Sequence, residues 1–216
     1  MSLVFHGHPL ASFCWKVQVA LYENETPFSW KVVDLGDPDS RADFAALWPI
    51  AKMPVLVDEA RGEVVPETGI IIDYLDLHYP GRVRFVPEDP DLARAARFWD
   101  RVCDNYLQLP MQKIVLDRLR PEGRKDPQGV EEARTLLATA LAYLDRHMHG
   151  KAWLAGEGLG LADCAAAPAL YYADKVMPLA GAFPNAALYL ERLKGRPSFA
   201  RVLAEAEPYF QYFPTE

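Results

Sequence analysis

Cysteine is scarce in this chain: 3 among 216 residues, at Cys14, Cys103 and Cys164, with no Cys-x-x-Cys pair. So small and odd a set excludes a disulfide-stapled miniprotein and points to a reducing, cytoplasmic setting. Long apolar runs are missing too, and none approaches the ~18 residues of a membrane helix, so no membrane partner is expected. The opening residues lack the basic start and apolar stretch of a signal peptide. Positive charge falls short: 23 Lys and Arg face 30 Asp and Glu, a net of −7, which argues against wrapping nucleic acid or docking on anionic lipid. Histidine is sparse as well. His6/His8 and His147/His149 are spaced pairs without a third ligand nearby, so no metal site is expected.

What is present is an ordinary globular balance, with half of the residues apolar and a quarter charged. The charge is unevenly placed. Residues 1–80 hold 5 Lys and Arg against 12 Asp and Glu, whereas residues 81–216 hold 18 of each. The break coincides with a change of local pattern. Up to residue 80, strand and helix signals alternate: Leu3-Val4-Phe5 as a strand, a helix from Ser12, a strand over Phe28–Val33, and a short helix opening at Ser40 with Asp43. Val55-Leu56-Val57 and Val64-Val65 follow as a hairpin turned by Arg61-Gly62, and Glu67-Thr68 opens an apolar helix that stops at Tyr79-Pro80-Gly81. This βαβ-ββα order matches a thioredoxin-like α/β domain over 1–80, and the order alone also permits other small α/β folds.

Beyond Pro80 the strand signals fade. Residues 81–90 hold two prolines, just after Pro80, and read as a linker, and 91–216 read as an all-helical domain. Asp89-Pro90 is a cap with a first-turn proline, and the helix behind it passes Trp99, Cys103 and Tyr106 to about Leu119, kinked at Pro110. A second helix is expected over Pro127–His149, with Leu136, Leu137, Leu141 and Leu144 on one stripe. A third, over Asp163–Leu179, is apolar almost all round and so buried through the centre. Shorter helices follow over Ala186–Lys194 and Ser198–Glu207.

Five strings then occur in order along the chain: Gly7-His8-Pro9-Leu10 with Phe13-Cys14-Trp15-Lys16-Val17; Lys52-Met53-Pro54-Val55-Leu56; Pro66-Glu67-Thr68-Gly69-Ile70; Leu161-Ala162-Asp163; and Arg196-Pro197-Ser198-Phe199. Together they resemble the cytosolic glutathione S-transferases across essentially the whole chain, with an N-terminal domain like that of bacterial, theta-like and zeta-like members. The resemblance implies a glutathione transferase that activates the peptide's thiol as thiolate and attacks a small hydrophobic electrophile or a peroxide. Glutathione is then a co-substrate, no other cofactor is implied, and the protein is a homodimer serving detoxification.

In that frame Glu67-Thr68 resembles the pair that holds the γ-glutamyl end. A helix N-terminus suits its carboxylate, and Glu67 suits its ammonium. Met53-Pro54 resembles the family's cis X-Pro, whose preceding backbone pairs with the cysteinyl unit as a short added strand. Lys52 is in reach of the glycyl carboxylate, and Phe13, Tyr106 and Met111 are placed at the electrophile pocket. Asp163 resembles a capping-box aspartate, but Gly160 stands where the family has Ser or Thr.

The thiol-activating residue departs from the pattern. The position after Leu3-Val4 is Phe5, not tyrosine, and the usual serine or cysteine of theta-like, zeta-like and omega-like members falls on Ala11. Three agents stand open: Ser12 shifted by one place, Cys14, or backbone N–H groups alone. The second function class follows from the same departure: a non-catalytic glutathione-transferase-like binding or regulatory protein.

Overall fold

The computed structural model describes residues 2–214; Met1, Thr215 and Glu216, at the outer ends of the two expected domains, lie outside the described residues. Four strands form one mixed sheet in the order β2-β1-β3-β4. β1 (Leu3–Gly7) runs parallel to β2 (Ser29–Val32) and antiparallel to β3 (Val55–Asp58), which pairs with β4 (Glu63–Pro66) as a hairpin. The parallel pair needs a crossover, supplied by α1 (Ser12–Glu23). α2 (Pro38–Leu47) and α3 (Thr68–His78) complete the thioredoxin-like order read from the sequence. α2 begins earlier than expected: Asp37 caps it, accepting from the Ser40 N–H at 3.0 Å, and Pro38 fills the first helical position.

The rest is helical: α4 (Pro90–Val102), α5 (Leu109–Arg118), α6 (Pro127–Met148), α7 (Leu161–Val176), α8 (Pro184–Lys194) and α9 (Pro197–Ala206). Asp89 caps α4 as expected, accepting from the Asp91 and Leu92 N–H groups at 3.0 and 2.8 Å. The kink expected at Pro110 takes a particular form. A π-helical turn over Cys103–Gln108 joins α4 to α5. Proline has no N–H, and its ring crowds the carbonyl one turn back, so a widened turn just before it absorbs both defects. On α6 the buried stripe is Leu137, Leu141 and Leu144; Leu136 is exposed, because one residue earlier lies 100° around the helix. α7 runs buried through the helical core as expected and carries an internal Pro168.

Segment 81–90 is tied down at both domains. The Asp76 carboxylate of α3 accepts from the Phe85 and Val86 N–H groups at 3.0 and 2.7 Å, and Asn24, just past α1, exchanges two hydrogen bonds with Val83 at 2.8 Å. The Phe85 carbonyl also explains Gly160. It accepts from the Leu161 N–H at 2.9 Å, and a Cβ on Gly160 would lie 3.0 Å from it, so the serine or threonine of the family pattern would crowd the linker. Asp163 keeps its half of the box, accepting from the Gly160 N–H at 2.8 Å, the Leu154 N–H at 3.0 Å and the Tyr189 hydroxyl. Burial still pushes its carboxyl up to about 6 despite those donors.

The joint between the domains is α1, most of whose residues are buried. Lys16 has no route to water, and its ammonium meets Asp100 at 2.5 Å and Asp104 at 2.7 Å, both supplied by the helical domain. Arg101 bridges the same two carboxylates at 2.7 and 2.6 Å from the cleft side. At the other end of α1, buried Glu23 accepts from the Ser198 hydroxyl at 2.7 Å and pairs with Arg196, which gives the Arg-Pro-Ser-Phe string its structural reason. Removing one partner from a buried ion cluster strands the others. Lys16→Met is therefore expected to cost about 3–5 kcal/mol in urea unfolding, well beyond the loss for a surface lysine.

Candidate functional site

A cleft of about 470 Å³ opens between the two domains. One wall comes from the α/β domain: Ala11 and Phe13 at the start of α1, Lys52, Met53 and Pro54 ahead of β3, and Glu67 and Thr68 at the start of α3. The other comes from the helical domain: Arg101, Asp104, Asn105, Leu109, Gln112 and Leu116. Residues brought together from three separate strings of the sequence thus face one space.

Each contributes a definite chemistry. The Met53–Pro54 bond is cis, and among the described residues the Met53 N–H and C=O have no hydrogen-bond partner, so they are available to an extended ligand. Glu67 sits at φ 68°, ψ 119°, a left-handed conformation that a non-glycine residue holds only under constraint from its surroundings. It is the N-cap of α3, yet its carboxylate caps no N–H and is exposed. Thr68, expected at the cap or as an anchor, is the first residue of the helix and buried, so the free first-turn amides of α3 lie at the cleft. The wall opposite carries mixed charge. Burial pushes the Asp104 carboxyl up against the pull of Lys16, and the Asp100 and Asp104 carboxylates together raise Arg101 despite its partial burial. Lys52 is exposed at the rim.

The thiol-activating candidates come out differently from expectation. Cys14 is fully buried: a Cβ on Gly7 would lie 2.7 Å from its Sγ, so the sulfur packs directly over the β1 backbone. Burial pushes its thiol up to about 12, outweighing the hydrogen bond from the His8 backbone, so Cys14 does not reach the cleft and is not ionised at neutral pH. Ser12 does not line the cleft either. It is 5% exposed, and its hydroxyl accepts from the Gln108 Nε2 at 2.5 Å, on the side toward the helical domain. What lines the cleft at the start of α1 is Ala11 and Phe13, at the helix end whose first N–H groups have no intrahelical partner; the Cys14 and Trp15 N–H groups already turn back to the Ala11 carbonyl.

Two pocket residues also move. Tyr106 is 48% exposed and lies outside the cleft, and Met111 is buried, lining a second, smaller cavity. Asn105, Leu109, Gln112 and Leu116 take the cleft instead. Sequence reading missed them, together with Arg101 and Asp104; the i, i+4, i+7, i+11 spacing of Asn105, Leu109, Gln112 and Leu116 is the signal that would have found that face. Trp99, on the same long helix, is core, stacked on Tyr143 at 5.2 Å and packed on His147. Phe13 alone of the three expected pocket residues borders the cleft. Since Cys14, Cys103 and Cys164 are all buried and pushed up in pKa, Ellman's reagent is expected to leave native protein unlabelled and to report 3 thiols after denaturation. Fast labelling of Cys14 in the native state would restore it as a reactive group.

Comparison with known proteins agrees with this architecture. The chain matches the family described as "Glutathione S-transferase, N-terminal domain" over residues 5–83 and that described as "Glutathione S-transferase, C-terminal domain" over 127–192. It is 29% identical to FtsZ-localized protein A of Caulobacter vibrioides, over 94% of this chain and 91% of that one. It is 27% identical to a glutathione S-transferase of Pseudomonas putida, over 95% and 93%. A glutathione S-transferase from Methylobacillus flagellatus, solved with glutathione bound, superposes with a TM-score of 0.85 at 25% identity, over 93% of this chain and 98% of that one. With both domains matched in order and the whole fold shared, the chain belongs to the glutathione S-transferase family.

Proposed function

We propose that the protein binds glutathione in the 470 Å³ cleft and acts as a glutathione transferase toward a small electrophile. The observation that carries this reading is the convergence on one space of Met53 with its unpaired backbone groups, the strained Glu67 and the amide-bearing start of α3. The γ-glutamyl carboxylate sits on the α3 amides and Thr68, and its ammonium on Glu67. The cysteinyl unit pairs with the Met53 backbone as an added strand, and Lys52 meets the glycyl carboxylate. These contacts leave the sulfur at the start of α1. A helix N-terminus contributes about 0.3–1 kcal/mol toward a nearby anion. A charge-assisted hydrogen bond adds about 1.5–3 kcal/mol. At about 1.36 kcal/mol per pKa unit, one or two backbone N–H groups suffice to lower the thiol by one to two units without any side chain. Backbone amides are therefore the thiolate's partners in this reading, and neither Ser12 nor Cys14 is. The glutathione-bound relative from Methylobacillus supports the ligand.

Glu67→Ala tests the reading. Loss of a charge-assisted contact is expected to weaken glutathione binding by about ten- to 150-fold in calorimetry, with the melting temperature little changed. Wild type that binds no glutathione would sink the proposal.

A second reading has a specific observation behind it: Ala11, without a hydroxyl or thiol, at the position where relatives place one. A binding or regulatory protein built on this fold needs no thiol activation, and the similarity to FtsZ-localized protein A gives such a role a counterpart. Glutathione binding without turnover toward a panel of electrophiles selects it.

The protein in this reading is a cytoplasmic homodimer. α3 and α4 flank a shallow groove spanned by Arg97 and Asp73 at 3.6 Å, and expose Ile70, Leu77 and Phe98 at 59%, 72% and 47%. Apolar residues so placed on adjoining helices favour a twofold contact. Sedimentation at micromolar concentration is expected to give twice the chain mass of 24.3 kDa, and Leu77→Glu to shift it toward the monomer.

A further inference from the structure

At the far end of α1 from the main cleft, a pocket of about 370 Å³ opens between the β2 side of the first domain and α9 of the second. The helical rise from Ala11 to Tyr22 separates the two by about 16 Å, and they share no lining residue. The aromatic walls of the pocket are Tyr22, Phe28 and Trp30. Phe28 and Trp30 both stand edge-on against buried Phe5, at 5.9 and 6.0 Å, and Tyr22 leans on Phe28 at 5.7 Å. Trp30 Nε1 donates to the Gly7 carbonyl at 3.3 Å, which fixes that ring. Tyr22, Glu205 and Arg201 close a ring of contacts across the domain joint. The Tyr22 hydroxyl donates to Glu205 Oε2 at 2.5 Å, Arg201 Nε donates to Glu205 Oε1 at 2.9 Å, and the guanidinium lies 4.0 Å from the centre of the Tyr22 ring. Both oxygens of Glu205 are thereby taken. The two Nη groups of Arg201 have no acceptor among the described residues, and the Thr26 hydroxyl on the same lining has no partner there either.

We propose that this pocket is a second binding site for a planar aromatic carboxylate, its rings against Phe28 and Trp30 and its carboxylate on the free fork of Arg201. The proposal stands apart from the glutathione reading, since no residue of the main cleft takes part. A guanidinium is a planar fork whose paired N–H groups match a carboxylate in two parallel hydrogen bonds. An exposed arginine ordinarily loses side-chain freedom when it binds, which weakens the gain. Here the stack on Tyr22 and the Nε contact with Glu205 have already set the side chain, and they leave the Nη edge open. Charge decides between an anion and a cation as the ligand. Glu205 has no oxygen left for a cation, and Glu25, the other acid on the lining, is exposed, with no hydrogen bond or ion pair holding its carboxylate among the described residues. The oriented and unspent charge is the cation. Size sets the ligand class: a cavity of about 150 Å³ accepts benzene, so about 370 Å³ takes two fused rings and a short acid arm. The site is one of binding only, with no bond made or broken.

The test pairs 2-naphthylacetate with its neutral amide, 2-naphthylacetamide, which keeps the rings and drops the charge. Calorimetry without glutathione is run on wild type, Arg201→Gln, Arg201→Lys and Lys52→Gln. Wild type is expected to bind the acid about tenfold more tightly than the amide, the low end for a hydrogen bond to a charged group because Arg201 is partly solvated. Arg201→Gln should bring the acid down to the affinity of the amide and leave the amide unchanged, which also shows that the variant is folded. Arg201→Lys keeps the charge without the fork and should restore only part of the preference. In wild type, nuclear Overhauser contacts should join the naphthyl protons to the Trp30 indole. The Lys52→Gln variant, altered at the rim of the main cleft, should bind both compounds as wild type does. The proposal falls if wild type binds neither compound at millimolar concentration, or if the acid preference survives Arg201→Gln. It falls equally if Lys52→Gln abolishes that preference, because the acid would then occupy the main cleft. If Arg201 serves only to join α9 to α1, acid and amide bind alike in every protein, and that result also overturns it.

Discussion

A single buried lysine sets the relation between the two halves of this molecule. Lys16 lies on a helix covered by its own sheet on one side and by the helical domain on the other, so its ammonium cannot reach water. An unpaired charge there would cost several kcal/mol, about the size of a domain's whole stability margin. Asp100 and Asp104 offset that cost, and both come from the opposite domain. Once they are held, the start of α1 must face α5, and the space left between the two becomes the cleft. Arg101 and Asp104 belong to the cluster and to the cleft wall at once. The charges that fix the domains therefore also set the electrostatics met by a ligand.

The π-helical turn before Pro110 is the second determinant. The helix that contains it presents Asn105, Leu109, Gln112 and Leu116 to the cleft on one face, while Tyr106 stays outside and Met111 lines the inner cavity. Gln108, the last residue of that turn, reaches Ser12. One proline thus links a defect in the helix to the division of the site into a polar cleft and an apolar chamber, with Ala11 on the boundary.

Family membership supplies the frame and leaves the chemistry to the side chains standing in it. Here the first turn of α1 offers an alanine, a serine held by Gln108 and a buried cysteine. A protein that binds glutathione but lacks turnover would keep every structural feature described above except the use of that turn.

The sequence by itself determined the fold. Alternating apolar residues, the Gly62 turn, the Asp89-Pro90 cap and the apolar run of α7 are local signals, and the elements follow them in order, with α2 opening at Asp37-Pro38 ahead of the expected Ser40. Met53-Pro54, Glu67 and Thr68 were also legible, because each sits at an element boundary whose backbone geometry depends on near neighbours. Only the tertiary structure decided the rest. Whether Ser12 or Ala11 faces the cleft depends on the rotation of α1 against α5, fixed by Lys16 and two carboxylates more than eighty residues away. Cys14 is inert because β1 packs over it, and a Cβ at Gly160 would crowd the Phe85 carbonyl at 3.0 Å. Long-range packing chose among side chains of similar local standing, and a one-dimensional pattern carries no record of which neighbour arrives from the other domain.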